Sequence, residues 1–202
     1  MRRILFLLIV LFSLCSCREI YWSSPIFDVQ DTQVDRRLIG TWRGQLYSEG
    51  KVVKQVGEVS WHIRQSGKNG MKVIVENSTN RFNLYASKLG SRTFLNVESP
   101  SGSDDLPKGF FLIWGYELTP DSDLILRLVI KSDLVEKAIQ NKTLLGEAIW
   151  EDRESEYAPL TIKADSGEIR AFLFNTPEEK LFLDAFYKFR KVKSTGARIG
   201  PR

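Results

Sequence analysis

The chain has 202 residues, 43% of them hydrophobic and 27% charged, a balance that suits one folded domain with tails and excludes a disordered chain. A formal net charge of +4 gives no basic footprint of the kind nucleic acid needs. The two cysteines are Cys15 and Cys17, so everything after them lacks a disulfide, a thiol and a cysteine-based metal site and must be held together by packing.

In chain order, Met1-Arg2-Arg3 is a short basic start and Ile4–Leu14 is an apolar run broken only by Ser13. At about 11 residues the run matches the apolar stretch of a secretion signal and is too short to span a bilayer. Leu14-Cys15-Ser16-Cys17 then resembles the bacterial lipobox, with an aliphatic residue, two small residues and a cysteine. A thiolate is needed there because it is the nucleophile that takes up the lipid. The resemblance implies a bacterial lipoprotein: residues 1–16 are a cleaved signal peptide and Cys17 carries the lipid, palmitate among its acyl chains. Two or three acyl chains give stable anchoring where one gives only marginal binding. In that family the residue after the cysteine affects sorting. Arg18 in that place implies the outer membrane, facing the periplasm, in a Gram-negative cell.

Residues 17–37 read as the lipidated N-terminus and a tether, with Ser23-Ser24-Pro25 and a polar run from Gln30 to Arg37. Within it Ile20-Tyr21-Trp22 either lies in the membrane interface, which suits Trp and Tyr, or packs back onto the domain. The domain is expected over residues 38–193. From Leu38 to Lys131 apolar and polar residues alternate in short runs, which is the period of a half-buried strand. Val59, Trp61 and Ile63 share one phase; so do Met71, Val73 and Val75, then Phe82, Leu84 and Ala86, then Leu95 and Val97. Phe110, Leu112, Trp114, Tyr116 and Leu118 line one face of a longer strand, followed by Leu124, Leu126, Leu128 and Ile130. Separators recur about every ten residues, as in an antiparallel meander. Phe110 to Tyr116 reads as a central strand buried on both faces, with Gly115 marking a bulge or a close contact.

The pattern changes after Lys131. Ser132 or Asp133 can cap a short helix bearing Leu134, Val135, Ala138 and Ile139, and Ser166 can cap another through Ile169, Phe172 and Leu173. Strands are expected at Gly146–Trp150 and Leu160–Ala164. Thr176-Pro177-Glu178-Glu179 has the form of a capping box with Pro at the first helical position, opening a helix with Leu181, Phe182, Ala185 and Phe186. Tyr187–Val192 reads as a last strand. Lys188, Arg190, Lys191, Lys193, Arg198 and Arg202 make the end of the chain basic. Residues 194–202 are expected to be a solvated, disordered tail, with attraction to anionic headgroups as the alternative.

Gly40-Thr41-Trp42 opens the first strand of the domain and resembles the Gly-x-Trp entry of the lipocalins and their calycin relatives. In that family the Trp packs at the closed end of an eight-stranded barrel and an Arg from near the last strand lies across it, a cation over an indole face. The resemblance makes Gly40, Trp42 and Arg190 the closure residues. The Thr-Asp-Tyr triplet of that family is absent. The fold expected is mainly β: a lipocalin-like up-and-down antiparallel barrel with short helices in the C-terminal third. Another antiparallel barrel or sandwich with added helices is the alternative.

Candidate chemistry is sparse. His62, the single histidine, falls on a polar phase with Ser60 and Arg64 and reads as a solvated strand residue. One histidine and no cysteine exclude the usual zinc sets. Asp121-Ser122-Asp123 and Glu151-Asp152-Arg153-Glu154 read as polar turns, and no phosphate-binding or nucleophile-elbow motif is present. Asn77-Ser78-Thr79 and Asn141-Lys142-Thr143 match the glycosylation pattern, which a bacterial lipoprotein has no reason to use. No catalytic, metal or cofactor site is therefore expected, and the chain does not read as an enzyme. The lipocalin resemblance implies a cavity for an apolar molecule, with Trp61, Phe82, Leu84, Trp114 and Tyr116 pointing inward as its lining. The alternative is a filled barrel whose outer surface binds an envelope protein. The partners implied are the membrane through the lipid, an apolar small molecule and an envelope protein.

Overall fold

A computed structural model describes residues 19–76, 78, 81–99, 107–128, 130–150 and 159–192. Cys17, the signal segment, Asn77, Glu151–Glu154 and the basic tail 194–202 lie outside the described residues.

Eight antiparallel strands close into a barrel. In chain order around the wall they are β2 (Gly40–Ser48), β4 (Glu58–Ser66), β5 (Gly70–Val75), β6 (Arg81–Leu89), β7 (Arg92–Glu98), β8 (Phe111–Leu118), β9 (Asp123–Arg127) and β12 (Ala185–Lys191). Each pairs with the next, and β12 returns to pair with β2 from Ala185 opposite Ser48 to Lys191 opposite Trp42. A two-residue strand, β3 (Lys51–Val52), folds back on the end of β2. Because side chains alternate across a strand, the expected apolar phases form one interior cluster: Trp42 and Leu46, Val59, Trp61 and Ile63, Met71 and Val73, Leu84 and Ala86, Leu95 and Val97, Tyr116, Leu124 and Leu126, Tyr187 and Phe189.

A second layer covers the outside of β7 and β8. It comprises β1 (Ile20–Trp22), α1 (Ser132–Gln140), β10 (Glu147–Trp150), β11 (Leu160–Lys163), α2 (Ser166–Asn175) and α3 (Glu178–Leu181). β1 pairs in parallel with β11 and touches β8 at Trp22 opposite Phe111, so the sheet branches at β8. The outward residues Phe94, Phe111 and Ile113 pack into a separate core with Ile26, Val135, Leu160, Ile162, Ile169 and Phe182. This is why Phe111–Tyr116 is apolar on both faces. A Cβ on Gly115 would stand 2.7 Å from the Phe182 ring, so the glycine admits a close contact.

Several expectations are corrected here. Of the tether expected over residues 17–37, Ile20, Tyr21 and Trp22 are buried and paired with β11, the second of the two placements considered for them, and the chain runs on across the outer wall. Its anchor is Asn96, fully buried although it occupies the polar phase of β7. Asn96 Oδ1 accepts from the Ile26 backbone N–H at 2.7 Å, and its amide donates to Ser87 Oγ at 2.8 Å and to the Tyr85 carbonyl at 3.2 Å. The polar phase of β7 therefore faces chain, not water. Lys131, not Ser132 or Asp133, precedes α1 and makes no side-chain cap. α2 is capped one residue earlier than expected, by Asp165, whose carboxylate accepts from Glu168 N–H while Glu168 returns the bond. Thr176-Pro177-Glu178-Glu179 forms no capping box. Thr176 ends α2, donating its hydroxyl to the Phe172 carbonyl at 2.7 Å, and α3 lasts four residues. Phe182 bridges to Ile130, and Ala185 and Phe186 belong to the closing strand. Closing the barrel takes precedence over local helix preference there.

Arg92 ties the two layers together. From the start of β7 its guanidinium donates to the carbonyls of Thr176 (2.7 Å), Phe174 (3.0 Å) and Leu173, the unpaired acceptors at the end of α2. A cation at a helix C-terminus also meets the negative end of its dipole. Arg92→Ala is expected to cost about 2 kcal/mol of stability, the scale of hydrogen bonds to a charged group, and Arg92→Lys to recover only part because one ammonium cannot span three carbonyls. Urea denaturation of the two variants checks this.

Candidate functional site

The two ends of the barrel differ. At the end where β2 begins, the segment Val29–Leu38 lies across the opening. Asn69, in the β4–β5 turn, donates to the Gln30 carbonyl at 2.7 Å and accepts from Thr32 Oγ1 at 3.1 Å. Trp42 is buried and its indole N–H donates to the Leu38 carbonyl at 2.7 Å. Tyr116 donates to Asp35 Oδ2 at 3.0 Å, and Arg37 grips the same carboxylate at 2.7 and 2.9 Å. Burial and the Asp35 charge push the Tyr116 phenol far above its ordinary range. Burial works to raise the Asp35 carboxyl, but the bonds from Arg37 and Tyr116 win and hold it below the usual carboxylate range. Beside this plug is a cleft of about 450 Å³, walled by Phe27, Val34, Asp35, Ala86, Thr93 and Tyr116 among others.

The cation over Trp42 is Lys191, not Arg190. Lys191 Nζ sits 5.2 Å from the indole centroid and donates to the Arg37 carbonyl at 2.9 Å. Its stem passes over Gly40, where a Cβ would stand 2.7 Å from Lys191 Cε and where φ is +139°, a conformation that suits glycine. Arg190 belongs to the outward phase of β12. Its side chain is 81% exposed and lies 3.5 Å from Asp123. The signal was present in the alternation, since Phe189 faces inward and the next inward position is Lys191.

The five residues expected to line a pocket all project into the barrel interior, at different depths. Leu84 is fully buried and Tyr116 belongs to the plugged end. Trp61 crosses the middle of the lumen, with ring centroids 5.8 Å from Trp114 and 4.9 Å from Phe189. Tyr187 extends the stack 5.5 Å from Phe189, and burial lifts its phenol well above the ordinary value. Trp114 and Phe82 remain half-buried. With Val75, Leu112 and Leu128, also half-buried, they form an apolar rim at the end opposite the plug. The half-buried apolar side chains thus gather at this end, above Trp61 and Phe189, while the 450 Å³ cleft lies beside the plug.

His62 faces outward, with Thr41 Oγ1 3.0 Å from its Nδ1. Asp123 is buried against Lys188 and Arg190. Among the described residues no group of three or more His, Cys, Asp or Glu side chains could hold a metal ion.

Substitution separates the two cations. Lys191→Ala is expected to lower stability by about 1 kcal/mol through loss of the indole contact and the bond to Arg37. Arg190→Ala should shift it by less than about 0.5 kcal/mol, as for exposed ion pairs. Thermal melts monitored by Trp fluorescence distinguish them.

An eight-stranded antiparallel barrel compatible with a lipocalin-like fold is what the site sits in. Compared with protein-family models, with curated proteins and with solved structures, the chain matches none.

Proposed function

We propose that this protein is a lipid-anchored envelope protein whose barrel takes up a small apolar molecule at its half-exposed mouth. The observation that carries the reading is the contrast between the ends. One is closed by Val29–Leu38 and its hydrogen bonds. The other presents Phe82, Leu112, Trp114, Val75 and Leu128 half-buried on the interior phase of their strands. Apolar walls with a few polar tips are the usual make-up of a small-molecule site, and the Trp114 indole supplies such a tip. An eight-stranded barrel is the size at which the interior is either filled by side chains or holds one small ligand. Uptake here is binding without chemistry, which fits a domain with one outward histidine.

The anchor rests on sequence: the basic start, the short apolar run and Leu14-Cys15-Ser16-Cys17. Residue 18 is Arg, so the outer membrane, periplasmic face, is the location this reading assigns in a Gram-negative cell. A second reading has a specific observation behind it. The Trp61–Trp114 and Trp61–Phe189 contacts fill the middle of the lumen, which suits a barrel that serves as a scaffold for an outer binding surface.

Titration with N-phenylnaphthylamine tests the first reading. Saturable binding is expected, weakened about tenfold, or roughly 1.4 kcal/mol, in Trp114→Ala, with a thermal melt confirming that the variant is folded. A folded wild type that shows no saturable binding removes the carrier and leaves the scaffold. The anchor is checked separately. In cells labelled with radioactive palmitate, Cys17→Ser should lose both its label and its membrane pool, whereas Cys15→Ser should keep both.

A further inference from the structure

Among the described residues no second layer covers the outer wall formed by β12, β2, β4 and β5, and like charges face each other on it. Arg190 stands directly opposite Arg43 across the β12–β2 ladder. Arg64 stands directly opposite Lys72 across β4–β5. Like charges facing each other on one side of a ladder are destabilising. Among the described residues Arg43, Arg64 and Lys72 form no ion pair; Arg190 shares the one carboxylate of Asp123 with Lys188, at 3.5 and 3.0 Å. Glu58 and Glu76, on the same wall, pair with none of these cations. Arg64 and Lys72 thus face each other with no carboxylate paired to either, Arg43 faces an Arg190 that shares its carboxylate with Lys188, and this surplus of positive charge points to a partner that supplies negative charge.

We propose that this wall is a docking face for an acidic protein. Two observations favour a protein over a lipid surface. Four residues along the same ladder from Arg43 and Arg190, Tyr47 and Phe186 project from the same face and stack at 5.4 Å with their planes 4° apart, both half-buried. Arginines beside aromatic rings on a firm sheet are the composition of protein-interface hot spots. The second is position. β1 is bound to β8, on the far side of the barrel from β4. Cys17 precedes Ile20 by about three residues, a reach of roughly 10 Å. On the lipid anchor proposed above, on which this point rests, a lipid on Cys17 would hold the β1 side toward the membrane and turn the cationic wall away from it. The inference stands whether or not the mouth takes a ligand, so this test and the probe titration fail separately.

The test uses the full-length protein in detergent and a fluorescein-labelled peptide of glutamates interspersed with leucines, followed by anisotropy. The peptide should bind at low ionic strength and more weakly as salt screens the charges. The double variant Arg43→Glu, Arg64→Glu should bind at least about tenfold more weakly. Its melting temperature should hold or rise, because each reversal turns a facing repulsion into an attraction. Tyr47→Ala should also weaken binding. Unchanged binding in the double variant would overturn the proposal. So would a preference for phosphatidylglycerol vesicles or a DNA duplex over the peptide. A lower melting temperature in the double variant would do the same, since it would show that the cations serve the fold.

Discussion

Closure of the barrel depends on the ladder between β2 and β12, whose partners lie at opposite ends of the domain sequence. A sheet that closes leaves no unpaired edge, so every wall strand has its backbone satisfied on both sides. The same ladder brings Lys191 to Trp42 and Phe189 to the centre of the lumen. Plug, aromatic floor and cationic wall all derive their positions from it. Without it, Arg43 and Arg190 would not face each other and the apolar phases of eight strands would not converge.

The closed barrel has two unlike walls because of what is inserted between β9 and β12. The described residues of 130–150 and 159–182 fold back over β7 and β8, and β1 joins them from the N-terminal side. That wall can be apolar outside as well as inside, and it needs Gly115 for the approach of Phe182 and Asn96 to fasten the crossing chain. Among the described residues the opposite wall carries no such cover, and on it the sequence places Arg43 opposite Arg190 and Arg64 opposite Lys72.

The ends follow a similar division. Hydrogen bonds from Asn69, Trp42 and Tyr116 to the segment Val29–Leu38 seal one opening with polar groups that need partners once buried. The other end carries the half-buried apolar side chains Val75, Phe82, Leu112, Trp114 and Leu128. Beneath them lies the layer where Trp61 meets Trp114 and Phe189.

Strand identity, phase and the shape of a meander were legible in the chain, because alternation is a local property set by the pleat. Trp61, Phe82, Leu84, Trp114 and Tyr116 could be assigned to the interior from that alone, and Gly40-Thr41-Trp42 suggested how the barrel begins. Phase counting could also have placed Lys191 rather than Arg190 over Trp42, since both lie on one strand. Other features had no local signal. Tyr187–Val192 reads as a strand, but nothing in Ala185-Phe186 does until β2 stands beside them, and a preceding Thr-Pro-Glu-Glu argues for helix. Ile20-Tyr21-Trp22 looks the same whether it meets lipid or β11, and Asn96 looks solvated until Ile26 crosses it. The sequence by itself determined which residues turn inward along each strand. Tertiary structure alone decided which strands are neighbours, which outer wall is covered and which cations face each other, because those depend on contacts between residues far apart in the chain.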